Sequence, residues 1–299
     1  MPLLCVPNWS VGRERGLVRH VVDLLEAAPV VVHYAEADID HNRTVTAFSG
    51  EPDAVRTTLF DLARLILPSV DLTRHTGVHP RIGGMDVCPF IPIPSRDEDR
   101  DEVNEFVREF AGSFAEEFKV PVFLYELSHS EKSTGQLPAL RKGGFGGLLD
   151  CDLDPDYGPS KVHQHLGASV IGQRDFLIAL NVNFQGECVE VVERIASSIR
   201  HKRREGDPRF VGVRALGFRL TEQQLVQVSM NITRPESVDL DEVIGFVDEQ
   251  AEMSGFEPGY VQLIGVIRDV DVERTVKIHF RPEQVVHTRT KSSWKEGWN

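Results

Sequence analysis

The sequence predicts an α+β protein in which antiparallel sheets are covered by helices. Two observations support this prediction. Apolar segments with strand and helix periodicity follow one another in the order strand, helix, strand, strand, helix, strand, and this order occurs twice. The chain has 299 residues, 41% of them hydrophobic, which is enough for a sizeable core in one or two domains. The repeated order indicates an internal duplication, with halves at residues 1–174 and 175–299.

The first half contains the complete order once. The predicted elements are a strand at 2–7, a helix at 13–28, strands at 30–34 and 44–48, a helix that opens at Pro52, and a strand at 87–93. Both helices carry apolar side chains at helical spacing, as at Val55, Leu59 and Leu62. Pro89 and Pro92 lack the N–H that an interior strand needs, which predicts an edge position or a bulge for the last strand.

A third helix, a strand and an irregular stretch complete this half. Residues 98–118 predict an amphipathic helix with an apolar stripe that packs in the core, formed by Val103, Phe106, Phe110, Phe114 and Phe118. Residues 120–125 predict a strand. Residues 128–175 show little apolar periodicity and predict a long irregular excursion with one short helix near 137–141. Such a stretch is typical of a ligand-binding loop or of disorder.

The second half repeats the order. Its predicted elements are a strand at 176–184, a helix through Val191, Ile195 and Ile199 that ends in the basic cluster Lys202–Arg204, a hairpin at 213–220 and 225–232, a helix at 240–251 and a strand at 260–267. This order is that of a ferredoxin-like split βαβ unit. Each copy is expected to place an antiparallel sheet under two helices, and a cleft between two such halves is a natural ligand site.

Charge and composition limit the classes of partner. The net charge of −13 argues against a nucleic-acid-binding protein, so an anionic ligand would need a local basic patch. No apolar run approaches the roughly 20 residues that span a bilayer, and the N-terminus lacks the charged region of a signal peptide. The four cysteines form no CxxC pair, which predicts a reduced, cytoplasmic protein. The expected partners are small molecules, and the sequence is compatible with a homodimer.

One loop concentrates residues that can carry chemistry. Residues 71–93 read DLTRHTGVHPRIGGMDVCPFIPI, and glycines and prolines interrupt any regular period up to Gly84. Two arginines and two histidines lie within eight positions, namely Arg74, His75, His79 and Arg81. Histidine is the side chain most easily used as an acid or base near neutral pH, and arginine suits an anionic ligand. The alternative interpretation is a solvated polar turn.

The segment RHTGVHPRIGGMDVCPFIPI resembles the signature of the formiminotransferase family, which moves a one-carbon unit between glutamate and tetrahydrofolate. Similar segments occur in family order at 5–10, 42–48, 137–143, 158–169, 172–184, 214–220 and 227–233. The resemblance runs over most of the chain, to near Gly265. It implies two ferredoxin-like subdomains around a folate tunnel, with tetrahydrofolate as co-substrate and no metal. Nothing in the chain resembles the cyclodeaminase part of the animal enzymes.

The resemblance assigns roles to particular residues. The family's catalytic histidine falls on His79, within HPR. The folate-contacting loop falls on Gly158, Pro159, Ser160, Lys161, Val162, His163, Gln164, His165, Leu166 and Gly167. Val78 stands where family members usually have an acidic residue, EADIDHN at 36–42 replaces a Gly-containing segment, and 162–165 differ from the animal pattern. These departures bear on the identity of the donor or acceptor.

Further residues are candidates for substrate binding. Arginine matches a carboxylate in two-point contact, which makes the carboxylates of glutamate or of the folate tail the expected ligands of Arg43, Arg74, Arg81 and Arg174. His75 joins these candidates. Asn181, Asn183 and Asn231 lie towards strand ends and are candidates for hydrogen bonds to the ligand. Surface ion pairs for the arginines and loop capping for the asparagines are the alternatives.

The predicted activity is transfer of the formimino group from N-formimino-L-glutamate to tetrahydrofolate, with His79 as general acid and base. Three alternatives stay open. The first is a glutamate formyltransferase that uses 5-formyltetrahydrofolate, and the second is a folate-binding relative without activity. The third is a metal-dependent hydrolase with zinc or manganese on a segment that holds Asp150, Asp152, Asp154, Asp156, His163 and His165.

Overall fold

The computed structural model describes residues 1–94, 99–130 and 141–288. The chain divides into two units, Met1–Asp175 and Phe176–Asn299. Each unit contains a sheet of at least four strands together with α-helices. The prediction of an α+β protein with two domains, antiparallel sheets and helices is confirmed.

Unit 1 follows the predicted order and then extends it. Its strands are β1 (Leu3–Cys5), β2 (Asn8–Trp9), β3 (Val31–Asp38), β4 (Arg43–Gly50), β5 (Met85–Pro92), β6 (Val122–Leu124) and β7 (Ser169–Gln173). Its described α-helices are α1 (Arg15–Ala27), α2 (Pro52–Ile66) and α3 (Arg100–Phe118). Pro52 occupies the first turn of α2, where its missing N–H has no intrahelical partner to lose.

The strands of unit 1 form one seven-stranded sheet. β1 and β2 act as one interrupted strand between β4 and β5, and β3 pairs with β4 on the far side. These pairings are antiparallel. Beyond β5 the sheet continues through β7 to β6 with parallel pairing. Unit 1 therefore carries a mixed sheet, and the expectation of a purely antiparallel sheet is wrong for its β5–β7–β6 side.

The structure corrects the predicted edge position of β5, which lies inside the sheet with every residue buried. Pro89 is tolerated because the neighbouring strand is interrupted opposite it, between Cys5 and Asn8. The N–H of Val6 donates to the carbonyl oxygen of Pro89 at 3.3 Å, so only the bond that Pro89 itself would donate is missing. The register also shifts between Asn8 and Trp9, which pair with Val87 and Met85, so this irregularity lies before the two prolines that predicted a bulge.

Strand β7 was not predicted, because it lies inside the stretch interpreted as irregular. Its sequence SVIGQ has only two apolar residues, yet all five positions are buried between β5 and β6. At Gly172 a Cβ atom would collide with the carbonyl oxygen of Tyr125, so this strand packs closely because it has no side chain there. The sequence pattern of β7 does not indicate its burial, because that burial comes from β5 and β6, which are distant in the chain.

The core of unit 1 is built on the predicted phenylalanine stripe of α3. Phe110 and Phe114 are fully buried, which confirms the prediction that the stripe packs in the core. The ring of Phe110 meets Phe60 of α2 at 5.4 Å and Phe90 of β5 at 5.3 Å, both edge to face. Aromatic pairs in this geometry add stabilisation beyond their buried area. The stripe thus packs α3 against α2 and against β5, the strand that follows the loop containing His79.

Unit 2 has the order strand, helix, strand, strand, helix, strand. Its elements are β8 (Ile178–Gln185), α4 (Val189–Arg204), β9 (Val213–Leu220), β10 (Leu225–Ile232), α5 (Leu240–Glu252) and β11 (Tyr260–Ile264). The sheet order is β11-β8-β10-β9, and all neighbours are antiparallel. The last strand ends at Ile264 rather than 267, because Ile267–Arg268 pairs in parallel with Val285–Val286 in a separate two-stranded sheet.

Some predictions fall outside the described residues. The short helix expected near 137–141 lies there except for Arg141, which is in a turn. The C-terminal tail beyond 288, with Trp294 and Trp298, also lies there. Within the described residues, none of the helices combines the length and the apolar character needed to cross a membrane.

Candidate active site

The loop between α2 and β5 is ordered by one buried carboxylate. Asp86 Oδ1 accepts the backbone N–H groups of Ile82, at 2.7 Å, and Gly83, at 3.2 Å. Its second oxygen pairs with the guanidinium of Arg141, which arrives from the segment after residue 140. At Gly83 a Cβ atom would collide with the carbonyl oxygen of Ala168, so the loop also lies directly against the chain before β7. The start of β5 therefore anchors the loop at residues 71–84, called the HPR loop from here on.

Arg81 holds this loop against the turn between β3 and β4. Its Nη2 donates to the carbonyl oxygens of His41, at 2.6 Å, and His79, at 2.9 Å. Its Nη1 donates to the carbonyl oxygen of Asn42 at 3.0 Å and lies 2.9 Å from His75 Nε2. These acceptors all belong to the protein. Arg81 joins the two loops through these bonds, and it also lines the cavity described below, so its predicted contact with substrate stays a prediction.

His75 lies beside Arg81 and is partly buried. Burial and the positive charge of Arg81 lower the pKa of His75 to about 4. The ring is therefore neutral at neutral pH. His75 Nε2 lies 2.9 Å from Arg81 Nη1 and 3.0 Å from the carbonyl oxygen of Asn42, which places His75 in the framework of the loop.

His79 has a defined tautomer. Its Nδ1 lies 2.8 Å from the carbonyl oxygen of Pro80, which can only accept, so Nδ1 carries the proton and Nε2 carries the lone pair. Burial, Arg43 and Arg141 lower the pKa of His79 well below its ordinary value. The ring of His41 meets that of His79 edge to face, with centroids 5.7 Å apart. His79 is thus neutral at pH 7, in the form that accepts a proton at Nε2.

Both histidines open onto a cavity of about 500 Å³. The N–H of Phe145 donates to the carbonyl oxygen of Arg81 at 3.0 Å and thereby sets the segment after residue 141 against the loop. The cavity is lined by Leu72, Thr73, His75, Gly77, His79, Arg81, Phe145, Gly146 and Leu149. It joins apolar side chains to two imidazoles and a guanidinium, as ligand pockets commonly do.

The remaining predicted arginines occupy different places. Arg43, at the start of β4, lies close enough to His79 to lower its pKa. Arg74 is exposed on the loop. Arg174 follows β7, where its N–H donates to the carbonyl oxygen of Phe90 at 3.1 Å and its side chain contacts Tyr125. Of the predicted arginines, Arg43 and Arg81 are the two that the structure brings to His79.

The predicted folate loop 158–167 packs against the HPR loop. A Cβ atom at Gly167, where φ is +71°, would collide with the carbonyl oxygen of Ile82, and one at Gly158 would lie 2.5 Å from that of Val120. Both glycines are therefore required by contacts within the protein. Between them, Val162 is buried, His163 and Leu166 are partly buried, and the exposed residues are Gly158, Pro159, Ser160, Lys161, Gln164 and His165.

Hydrogen bonds shape this loop further. His163 Nδ1 accepts the N–H groups of His165, at 3.2 Å, and Leu166, at 3.0 Å. His165 Nδ1 lies 3.1 Å from Asp71 Oδ1, next to the start of the HPR loop. Hydrogen bonds from Thr73 and His165 lower the pKa of Asp71 to about 2. The two loops are thus fixed to each other by side chains as well as by backbone.

The three predicted asparagines belong to unit 2. Asn181 and Asn183 are buried on β8, and Asn231 is exposed on β10. Asn183 Oδ1 accepts a hydrogen bond from Gln227 Nε2 at 2.7 Å, and the residue also lines a separate cavity of about 350 Å³ beside Tyr260. Asn181 Nδ2 donates to Gln262 Oε1 at 3.4 Å. These side chains mainly join neighbouring strands.

The alternative metal site has no supporting geometry in the described ranges. Across residues 1–94, 99–130 and 141–288, no group of three or more His, Cys, Asp or Glu side chains could hold a metal ion. The expected ligands have other partners, since Asp152 pairs with Lys161 at 2.7 Å and Asp156 accepts the N–H of Leu124 at 2.7 Å.

Comparisons with known proteins identify the family of this chain. The family model described as "Formiminotransferase domain, N-terminal subdomain" matches residues 2–174, and the one described as "Formiminotransferase domain" matches residues 179–289. The chain belongs to the formiminotransferase family. The resemblance drawn from the HPR loop and its companion segments is thereby confirmed.

Two relatives in this family have about the length of the present chain. A glutamate formimidoyltransferase from Streptococcus pyogenes is 32% identical over 88% of this chain and 87% of its own length, and one from Thermoplasma acidophilum is 32% identical with the same coverage. A mouse formimidoyltransferase-cyclodeaminase is 34% identical over 88% of this chain, which corresponds to 49% of the mouse protein. The chain therefore spans about half of the mouse relative.

In this member of the formiminotransferase family, three residues around His79 were missed as site candidates. They are His41, Asp86 and Arg141. Asp86 and Arg141 lie inside segments already noted for their resemblance to the family, and His41 lies in the departing turn EADIDHN. Their place in those segments was the only signal that could have identified them. No local sequence pattern indicates that the three residues lie close to His79.

Proposed function

We propose that this chain transfers the formimino group of N-formimino-L-glutamate to tetrahydrofolate, giving 5-formiminotetrahydrofolate and glutamate. Membership of the formiminotransferase family supports this activity, as do the two relatives named glutamate formimidoyltransferase. The observation that carries it is His79 itself, a neutral imidazole with Nε2 in its basic form at a cavity beside positively charged side chains.

The proposed mechanism moves one proton through His79. N5 of tetrahydrofolate attacks the formimino carbon and forms a new C–N bond, while Nε2 of His79 takes the N5 proton. The tetrahedral intermediate then breaks the bond between carbon and the glutamate nitrogen. His79 returns its proton to that nitrogen, so glutamate leaves as an amine and the imidazole is neutral again. Arg43 and Arg141 supply positive charge close to the ring in both steps.

The test is a single-turnover experiment with two donors. Purified protein receives either N-formimino-L-glutamate with tetrahydrofolate, or 5-formyltetrahydrofolate with glutamate, and products are identified by mass spectrometry. Formimino transfer is the expected result. The second candidate, formyl transfer, is favoured by one observation, since Val78 is a half-exposed apolar residue where family members usually have an acidic residue. Turnover with the formyl donor alone would replace the proposal, and folate binding without either turnover would indicate an inactive relative.

We also propose that both units descend from one ferredoxin-like unit. In unit 2 the sheet order is fourth, first, third, second strand of the βαββαβ sequence. In unit 1 the order β5, then β1 with β2, then β4, then β3 follows the same scheme. This shared order supports a duplication, with α3, β6 and β7 as an addition to the first copy.

Further parts of the proposal concern partners and location. Tetrahydrofolate is the co-substrate, with the loop 158–167 as its proposed binding segment, because that loop lies against the HPR loop. Soaking with 5-formyltetrahydrofolate tests this position directly. Homodimer formation and a cytoplasmic location stay predictions of the sequence.

A further inference from the structure

Arg43 is a largely buried arginine that lacks an internal counter-charge contact. Within residues 1–94, 99–130 and 141–288, its side chain makes no hydrogen bond or ion pair, and its Nε is buried without a partner. Burial and the nearby Arg141 lower its pKa to about 10, so it stays charged at neutral pH. A partly desolvated guanidinium without a close counter-charge is costly, which makes Arg43 a candidate to bind an anionic ligand.

Arg141 is a second arginine near His79 with a buried Nε that is unpartnered in the described part of the chain. One Nη atom pairs with Asp86, whose other oxygen is occupied by the N–H groups of Ile82 and Gly83. The Nε of Arg141 is buried without a partner among the described residues. Asp86 thus contacts Arg141 alone of the two arginines, and its other oxygen is already occupied by backbone N–H groups. The local charge is positive in a chain whose net charge is −13.

Arg81 does not share this role, because its Nη1 and Nη2 groups donate to the carbonyl oxygens of His41, Asn42 and His79. Of the three arginines around His79, Arg81 therefore joins the loops, whereas Arg43 and Arg141 each have an N–H donor without a partner among the described residues.

We propose that Arg43 and Arg141 form an anion-binding subsite beside His79 that takes the α-carboxylate of the amino-acid donor. The identity of the donor rests on the proposed function. A single carbon separates the α-carboxylate from the nitrogen that carries the formimino group, so a donor with that nitrogen at His79 has its α-carboxylate close by. In folate, the p-aminobenzoyl ring lies between N5 and the carboxylates of the tail, which places those carboxylates far from the reacting atoms. The planar fork of arginine fits a carboxylate in two-point contact.

The experiment compares Arg43→Lys and Arg141→Lys with wild type. Lysine keeps the positive charge, and with it the attraction to Asp86, but loses the planar fork. Arg43→Lys removes no hydrogen bond that the side chain makes to the described residues, so this variant is informative even if Arg141→Lys fails to fold. Arg19→Lys on the exposed face of α1 is the control. The readouts are KM for each substrate, kcat, and the Kd for L-glutamate by calorimetry.

We expect KM for N-formimino-L-glutamate and Kd for L-glutamate to rise about 10- to 100-fold in each variant, as for the loss of a charge-assisted hydrogen bond. KM for tetrahydrofolate should stay within about 2-fold of wild type, a margin set by ordinary surface substitutions. A donor whose α-carboxylate is an amide should bind weakly to wild type and lose nothing further in the variants. A γ-amide donor should show the full effect of each substitution.

The outcomes separate the subsite from the proposed function. If wild type transfers the formimino group while the variants leave donor KM and glutamate Kd unchanged, the subsite is overturned and the activity stands. If wild type transfers no formimino group but glutamate binding weakens in the variants, the activity fails and the subsite stands. An α-amide that binds as tightly as glutamate overturns the subsite in either case.

Discussion

Two histidines four residues apart have different surroundings and therefore different chemistry. His75 Nε2 lies between Arg81 Nη1 and the carbonyl oxygen of Asn42 within the loop framework, and the pKa of His75 is about 4. His79 donates Nδ1–H to a backbone carbonyl and presents Nε2 in its basic form. The sequence spacing alone treats the two residues alike. Their hydrogen-bond partners distinguish them, because each ring nitrogen has a role set by the group it faces.

Replacing His79 by glutamine should leave folding intact and lower kcat by about 10²- to 10⁴-fold, the range typical of a lost general acid–base group. The amide fills similar space but cannot exchange a proton near neutral pH. Single-turnover rates and folate affinity are measured on the same preparation. His20→Gln, exposed on α1, is the control. A His79→Gln rate within a few-fold of wild type would refute the assignment.

The pKa of His75 also predicts an acid-sensitive stability. Between about pH 6.5, the ordinary value, and about pH 4, the unfolded chain binds a proton at His75 that the folded chain does not. The free energy of unfolding should therefore fall as pH drops through this window. Urea unfolding at pH 7 and pH 5 measures the change, and His75→Gln should reduce it. Equal losses in the variant and in wild type would show that other groups control the effect.

At the scale of elements, glycines allow the two loops to lie against each other. Gly83 and Gly167 form a backbone bridge, and Gly167 adopts a positive φ of +71°. A side chain at Gly167 would collide with the carbonyl oxygen of Ile82, and one at Gly83 with that of Ala168, the residue after the second loop. The loops at 71–84 and 158–167 are therefore one structural unit, although about 80 residues separate them in the sequence.

Gly167→Ala should lower the free energy of unfolding by at least about 2 kcal/mol, because it combines backbone strain with a steric collision. Gly16→Ala is the matched control. It lies in α1 with no atom within 4 Å of the added Cβ, so it should be neutral or stabilising by up to about 1 kcal/mol. Urea unfolding of both variants tests the difference. Equal stabilities would mean that the loop contact contributes little.

At the scale of the whole molecule, the site opposes the overall charge. The chain carries −13, while Arg43, Arg81 and Arg141 surround His79. Long-range repulsion of an anionic donor acts through solvent and is screened by salt. The contacts with partly buried arginines are screened much less.

Raising NaCl from 20 to 200 mM should therefore increase kcat/KM for N-formimino-L-glutamate, by about 2- to 5-fold as an order of magnitude. Screening removes more of the net repulsion than of the local attraction. A donor with one carboxylate amidated carries less charge and should show a smaller increase. A steady decrease of kcat/KM with salt would mean that exposed positive charges control binding instead.

The sequence by itself determined the elements whose signal is local. Strands β9 and β10 have the bounds predicted for a hairpin, and α3 follows its phenylalanine stripe. Motif order determined the family, because the HPR segment and its companions occur in one specific sequence. These signals depend on neighbouring residues, so they survive without knowledge of the fold.

The tertiary structure alone decided how distant residues meet. It placed β5 inside its sheet beside the unpredicted β7, and it brought His41, Asp86 and Arg141 to His79 from separate segments. It also showed that Arg81 links the two loops, a role that the sequence did not indicate. Burial and hydrogen-bond partners depend on which segments pack together, and the free energy of packing is shared among residues far apart in the chain. No local pattern contains that information.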